Sequence, residues 1–405
     1  MHAQFKLLDL FLTQSQSFWR YEAFHSCSGS DLPWGDQHPE LSAWLIALEQ
    51  DQIEYYKLNS EHLCAILSEF FPQLAEIKAM LAIKPAPRAT VLSLPKYLDQ
   101  GIPGRKWQQI VAMSSVLLAH HQGAQWLEWC AGKGYLGRIL ASVSQQPVVS
   151  FEYQAELCAA GQQQAKLLHL PMHFVQGDAF QSEVARLFEA NTHAVALHAC
   201  GDLHVKLLQY ATAAQVAAIS FSPCCYHLIR DPHYQAMSNL AQQSTLHLTQ
   251  QELRLPLQET VTGGERVKRQ RQQEMVYRLG LDALLSHELN QTAYIPIPSI
   301  QKSHLNQGFA AFCDWALRQK NIDLDATQHD LAYFEQLGEQ RFWQMERVSL
   351  VQQGFRRLLE LWLVLDKSLY LQEQGYQVTI GEFCDRQTTP RNLMVNAQRI
   401  VSQSR

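Results

Sequence analysis

The sequence lacks what would mark a membrane, secreted, fibrous or polycationic protein. No apolar run approaches the roughly 18 residues of a spanning helix; the run Leu361 to Leu365 is closed off by Glu360 and Asp366. The Met1 end has no basic, then apolar, then small-residue order, so no signal peptide is read. Charged residues reach only 18%, which argues against a coiled coil, and the formal charge of -5 excludes a globally polybasic chain while leaving room for a local basic patch. No internal repeat and no long low-complexity run is present. The nine cysteines, spread from Cys27 to Cys384, are odd in number, and they read as thiols of a reducing cytoplasm. What remains is a chain of 405 residues, 47% hydrophobic, enough for two or three domains and a large core.

Over the first ninety residues apolar positions recur at three and four, as in Leu41, Trp44, Leu45 and Leu48, and in Leu63, Ile66, Leu67 and Phe70. This spacing predicts helices, one of them capped by Ser60. Lys84-Pro85-Ala86-Pro87-Arg88 breaks the pattern and marks a boundary. From Trp126 short β-rich runs alternate with helical ones: Trp126 to Cys130, Pro147 to Phe151, Met172 to Val175, Ala194 to His198 and Val216 to Phe221 are expected strands. That order predicts an α/β protein with a parallel sheet and ligands at the carboxyl ends of its strands. From about Asp231 to Gln374 the pattern is mainly helical, broken at Gly263-Gly264 and at Tyr294 to Pro298. Tyr376 to Ile380 and Asn392 to Val395 then read as two antiparallel strands. The expected organisation is an N-terminal helical region (1–90), a discontinuous core (91–230 and 375–405) and a helical insertion (231–374).

Gly132-Lys133-Gly134-Tyr135-Leu136-Gly137 fits G-x-G-x-x-G between an expected strand and an expected helix, and Glu152 follows Gly132 by twenty positions at the end of the next strand. Such a loop lets a ligand approach the backbone, rest on a helix N-terminus and offer a ribose diol to the carboxylate. NAD and S-adenosylmethionine both satisfy it. Three details favour the second. Glu128, Cys130, Gly132 and Gly134 stand in register with the acidic-x-Gly-x-Gly-x-Gly loop of class I methyltransferases, with Cys130 in place of the first glycine; Gly177-Asp178-Ala179 follows the third strand; and the terminal antiparallel pair suits the sixth and seventh strands of that fold.

With those residues in view, Glu128 to Arg138, His198-Ala199-Cys200-Gly201-Asp202-Leu203 and Cys224-Cys225-Tyr226-His227 together resemble the methyltransferase domain of the methyltransferase-like twenty-five proteins. The eukaryotic tRNA position-four ribose 2'-O-methyltransferase is similar, and Pro390-Arg391-Asn392-Leu393 resembles the start of the terminal strand in that group. The resemblance implies a Rossmann-like class I fold with a seven-stranded sheet and S-adenosylmethionine as cofactor. Glu128, Cys130, Gly132, Lys133, Gly134, Glu152, Asp178, Ala179 and His198 would line that cofactor, with Asp178 at the adenine and the Lys133 ammonium turned outward to substrate. It also implies that His198, Asp202, Cys224 and His227 face the acceptor, His198 or Asp202 as the base. Asp202 as a helix N-cap is the plain alternative, compatible with catalysis.

For Ser222 to His227 three readings stay open. Cys225, Tyr226 or His227 shapes an acceptor pocket; Cys224 or Cys225 is a thiolate that adds to a pyrimidine ring; or His198, Cys200, Cys224, Cys225 and His227 bind zinc, against which stand the missing C-x2-C pair and the adjacency of two cysteines. No metal is therefore expected. Lys106, Arg266 and Arg269 are candidate contacts to RNA phosphates, or else solvated helix faces. The reading is a cytoplasmic methyltransferase acting on tRNA or rRNA, with no membrane partner. Its rivals are an enzyme for a protein or small molecule and a cofactor-binding interaction module.

Overall fold

A computed structural model describes residues 1–27, 32, 34–89, 92–258, 264–290 and 293–400. Gly263 of the expected break, residue 90 at the expected boundary and residues 401–405 of the expected core lie outside the described residues.

The runs of β-branched and aromatic residues form one seven-stranded sheet: β1 Gln125–Trp129, β2 Val148–Glu152, β3 Met172–Gln176, β4 Thr192–Cys200, β5 Ala218–Cys224, β6 Tyr376–Glu382 and β7 Leu393–Arg399. Their order is β3-β2-β1-β4-β5-β7-β6, with β1 to β5 parallel and β7 antiparallel to both of its neighbours. This is the class I methyltransferase sheet that the sequence led us to expect. Every residue of β5 is buried, Ser220 and Ser222 included, as in a strand covered on both faces. One core cluster packs Met113, Val116 and Leu117 of the Gly104–Ala119 helix and Ile139 and Leu140 of the Tyr135–Ser144 helix with Trp126, Val148, Val195 and Met394. Each such side chain contributes about 1.5–3 kcal/mol of burial.

The proline-rich breaker has a structural use. Ala86 N donates to Glu382 O at 2.9 Å and Glu382 N to Lys84 O at 3.1 Å, so this segment runs beside β6 and covers that edge of the sheet.

The chain forms two compact units. One comprises residues 1–13, 77–261 and 356–405 and holds the whole sheet; the other comprises 14–76 and 262–355 and is helical. In the second, Tyr21 Oη donates to Val348 O at 2.8 Å, Gln352 Nε2 to Trp19 O at 3.0 Å, and Phe71 packs edge-on against Phe355. Helical stretches far apart in the chain thus share one core. Ser60 is the first residue of the Ser60–Phe70 helix, and Asn59 holds the cap position expected for it. Among the described residues no helix is long and apolar enough to cross a membrane.

Candidate functional site

The Trp129 ring stacks on Phe151 at 4.6 Å and its indole N–H donates to Leu203 O at 2.8 Å, which ties the ends of β1 and β2 to the helix after β4. The chain then turns with φ of 56°, 58° and 71° at Cys130, Gly132 and Gly134. At Cys130 this left-handed backbone costs about 1–2 kcal/mol, the penalty glycine would avoid. Burial pushes its thiol up to about 12. Glu152 braces the loop, accepting from Gly132 N at 2.9 Å and Gln154 N at 3.0 Å. A Cβ on Gly132 would meet nothing within 4 Å, so open space borders the backbone beside this carboxylate, and the Tyr135–Ser144 helix starts immediately after. A helix N-terminus, an approachable backbone and a carboxylate at the end of β2 fit the donor and acceptor needs of an adenosyl amino acid.

Glu128 departs from its expected place in the cofactor's lining. Only 3% exposed, it accepts from Ser150 Oγ at 2.6 Å and from the backbone N–H groups of Leu136 and Gly137. A Cβ on Gly137 would stand 2.4 Å from Glu128 Oε2, so only glycine permits this approach. Burial raises its carboxyl to about 7, against the opposing hydrogen bonds and the Arg138 charge. Glu128 thus fastens the first turn of the helix to β1 and β2 beneath the loop. Lys133 is exposed, as expected, while its carbonyl accepts from the buried Arg138 Nη2 at 2.9 Å. After β3, Asp178 Oδ1 accepts from Phe180 N at 3.0 Å, and Ala179 beside it is buried.

The ends of β4 and β5 are bent together. The register shifts between Leu197 and Cys200, with His198 at φ 68°. Gly201 (φ 55°) lies under the turn after β5: a Cβ there would stand 1.9 Å from Leu228 O. Asp202 N donates to Leu228 O at 3.0 Å and Asp202 Oδ2 accepts from Arg230 N at 2.8 Å. The N-cap position belongs to Gly201, and Asp202 is instead the first helical residue and a tie to that turn. The Arg230 guanidinium lies 3.4 Å over the Phe180 ring, linking the turns after β5 and β3.

His198 Nε2 faces Gln109 Oε1 at 3.1 Å, while Gln109 Nε2 donates to Thr388 O at 3.1 Å. The second bond fixes the amide's orientation, so Nε2 of His198 carries the proton and Nδ1 the lone pair. Burial, then the Lys106 charge, holds His198 below its ordinary pKa; burial and Arg254 do the same to His227. No role was read from the sequence for Gln109, Arg230 or Arg254, and Arg391 stood there only as part of the terminal-strand motif. Gln109 stands three residues from Lys106 on one helix, a spacing that could have signalled it.

Cys200, Cys224 and Cys225 bring their Sγ atoms within 4.8 Å of one another, Cys200 and Cys224 to 3.4 Å. Cys224, a candidate nucleophile by sequence, is 5% exposed, and its hydrogen bonds with Cys200 and Cys225, together with burial, push its thiol far up. Hydrogen bonds with Cys200 and Cys224 draw the Cys225 pKa well down. Cys225 is also the more accessible of the two, half-buried where Cys224 is buried. Tyr226 does not face an acceptor: it is 2% exposed, its ring beside the buried Lys367 ammonium at 5.7 Å. His227 is half-buried, with Nδ1 lacking a hydrogen-bond partner. Lys106 is exposed next to His198, whereas Arg266 and Arg269 lie exposed at the start of the Glu265–Leu289 helix of the second unit.

A family model described as a methyltransferase domain matches residues 105–232. Among solved structures, the tRNA (uracil-54, C5)-methyltransferase of Pyrococcus abyssi in complex with S-adenosyl-L-homocysteine is 17% identical over 29% of this chain and 28% of its own, with a TM-score of 0.25. TrmN from Thermus thermophilus is 15% identical over 32% and 46%, at 0.25, and a SAM-dependent methyltransferase from Aquifex aeolicus 11% over 32% and 72%, at 0.26. Such partial likenesses leave the fold to be read from the sheet order itself. Residues 105–232 thus match a methyltransferase domain and supply β1 to β5 of a sheet whose strand order is that of class I, S-adenosylmethionine-dependent methyltransferases.

Proposed function

We propose that the protein transfers a methyl group from S-adenosylmethionine to an RNA acceptor, a tRNA or rRNA. The observation that carries this is the set of cations around the strand ends of a chain whose formal charge is -5: exposed Lys106, Arg230 and Arg254, and half-buried Arg391, whose charges act on His198, His227 and Cys225 or bridge the turns after β3 and β5. Phosphates are the natural partners of such a cluster. The three motifs quoted above support kinship with the methyltransferase-like twenty-five proteins and the tRNA position-four enzymes. All nine cysteines are unpaired, which suits a reducing cytoplasm.

Gly132 gives the cofactor access to the backbone, Gly134 with Cys130 and Lys133 completes the loop, Glu152 takes the ribose, and Asp178 with Ala179 borders the adenine. Glu128 acts through the helix start it fastens. The bound cofactor supplies an electrophilic methyl on a sulfonium, so the protein's task is alignment and removal of one proton. His198 Nδ1 takes that proton from the acceptor, its ring held by Gln109, while Asp202 keeps the turn bearing Cys225 and His227 in place.

Calorimetric titration with S-adenosylmethionine and NAD, followed by methylation assays on tRNA, rRNA, protein and small-molecule fractions, tests the reading. Binding of the adenosyl ligand and RNA methylation are expected, with His198→Asn losing turnover but not cofactor binding. Methylation only of protein or small molecules would remove the RNA acceptor, and binding without any methylation would leave an interaction module.

A further inference from the structure

The thiols at the ends of β4 and β5 form, among the described residues, the one group of three metal-ligating side chains close enough to share an ion. We propose that Cys200, Cys224 and Cys225 bind a zinc ion through three thiolates, with the fourth coordination position open. The inference is independent of the acceptor and of methyl transfer itself.

Zinc–sulfur bonds of about 2.3 Å in a tetrahedron put sulfurs about 3.8 Å apart. The three Sγ atoms, with one pair at 3.4 Å and all within 4.8 Å, bracket that spacing. Adjacent cysteines seldom share an ion because an extended backbone sends them to opposite faces. Here β5 ends at Cys224, and Cys225 takes φ 46°, which breaks that alternation. Cys200 arrives from β4 across the register shift and pairs with Cys224 in the ladder. Strained, non-glycine backbone at His198 and Cys225 thus brings together three thiols from two strands, the kind of local cost found at binding sites. Arg391 places a positive charge beside Cys225 that would offset the excess negative charge of three thiolates on a divalent ion. Among the described residues no fourth side chain joins the group, so the fourth position is left to water or a ligand in this proposal.

The full-length protein, purified under reducing conditions, would be assayed for zinc by atomic emission before and after reconstitution with zinc chloride and dialysis against a weak chelator. One zinc per chain is expected. Cobalt substitution should give tetrahedral d–d bands and sulfur-to-cobalt charge transfer. Cys200→Ser and Cys225→Ser should each weaken zinc binding by more than about tenfold, and Cys384→Ser, a buried thiol outside the group, should not. Absence of zinc after reconstitution, a cobalt spectrum without thiolate charge transfer, or full retention by both variants would overturn the proposal. The cobalt spectrum of the unmodified protein decides the matter if a variant fails to fold.

Discussion

Glu128 is buried beneath the glycine loop, where its hydrogen bonds go to Ser150 and the start of the following helix. Its carboxyl, raised to about 7, binds protons in the folded chain at pH values where the unfolded chain, near the ordinary 4.5, has lost them. The contribution is therefore favourable at low pH and declines as pH rises from about 4.5 to about 7, by roughly 3 kcal/mol in all. Glu128→Gln keeps acceptors for Leu136 and Gly137 without the buried charge. Its stability, measured by denaturant unfolding, should exceed that of the parent at pH 8 and lose most of that advantage at pH 5. An equal difference at both pH values would mean that the carboxyl titrates as in water. The motif made Glu128 visible in the sequence, but its role was not, because the partners that bury it lie on β2 and on the following helix.

At the scale of elements, what could be read in the sequence followed how local each signal was. The short apolar runs of β1, β2 and β3 were placed within a residue or two, and the alternation of β6 exposed its start at Tyr376. β4 was read short, as Ala194 to His198, because Thr192 and His193 are polar residues buried by partners elsewhere: His193 Nε2 meets Ser220 Oγ at 2.9 Å, and Ser220 Oγ donates to Asn396 Oδ1 at 2.8 Å. The segment after Asp231 was read as mainly helical, yet its first long helix begins at Glu265. Before it, the backbone is held from a distance. Buried Asp366 accepts from Ser238 N at 2.7 Å and from Tyr234 Oη at 2.6 Å, and Lys367 Nζ donates to the same tyrosine at 2.8 Å. Such ties have no period. Asp366→Ala would leave Lys367 buried without its neighbouring charge and Ser238 N unpaired, so a loss of about 3–5 kcal/mol is expected in thermal or denaturant unfolding. A loss below about 1 kcal/mol would show that the segment is held by apolar packing instead.

For the whole molecule, a formal charge of -5 means that the proposed RNA acceptor would have to be drawn by local groups of cations, of which the strand ends carry one. If Lys106, Arg230, Arg254 and Arg391 each meet one phosphate, log affinity against log salt should fall with a slope of about 3 to 4. Lys106→Ala should reduce that slope by about one; a slope near zero would remove the phosphate contacts. The two units were legible only in part, since periodicity marks helices but does not say that residues 14–76 and 262–355 share a core. The order of the strands has a consequence for synthesis. β5 pairs with β4 on one side and with β7 on the other, and everything between Cys224 and Leu393 must be translated before β7 exists. At about 5–20 residues per second, the nascent chain carries an open strand edge with unpaired backbone groups for on the order of ten seconds, with the helical segments emerging beside it. Lowering chaperone supply during expression should therefore reduce the soluble yield, even though the finished sheet leaves β5 fully covered.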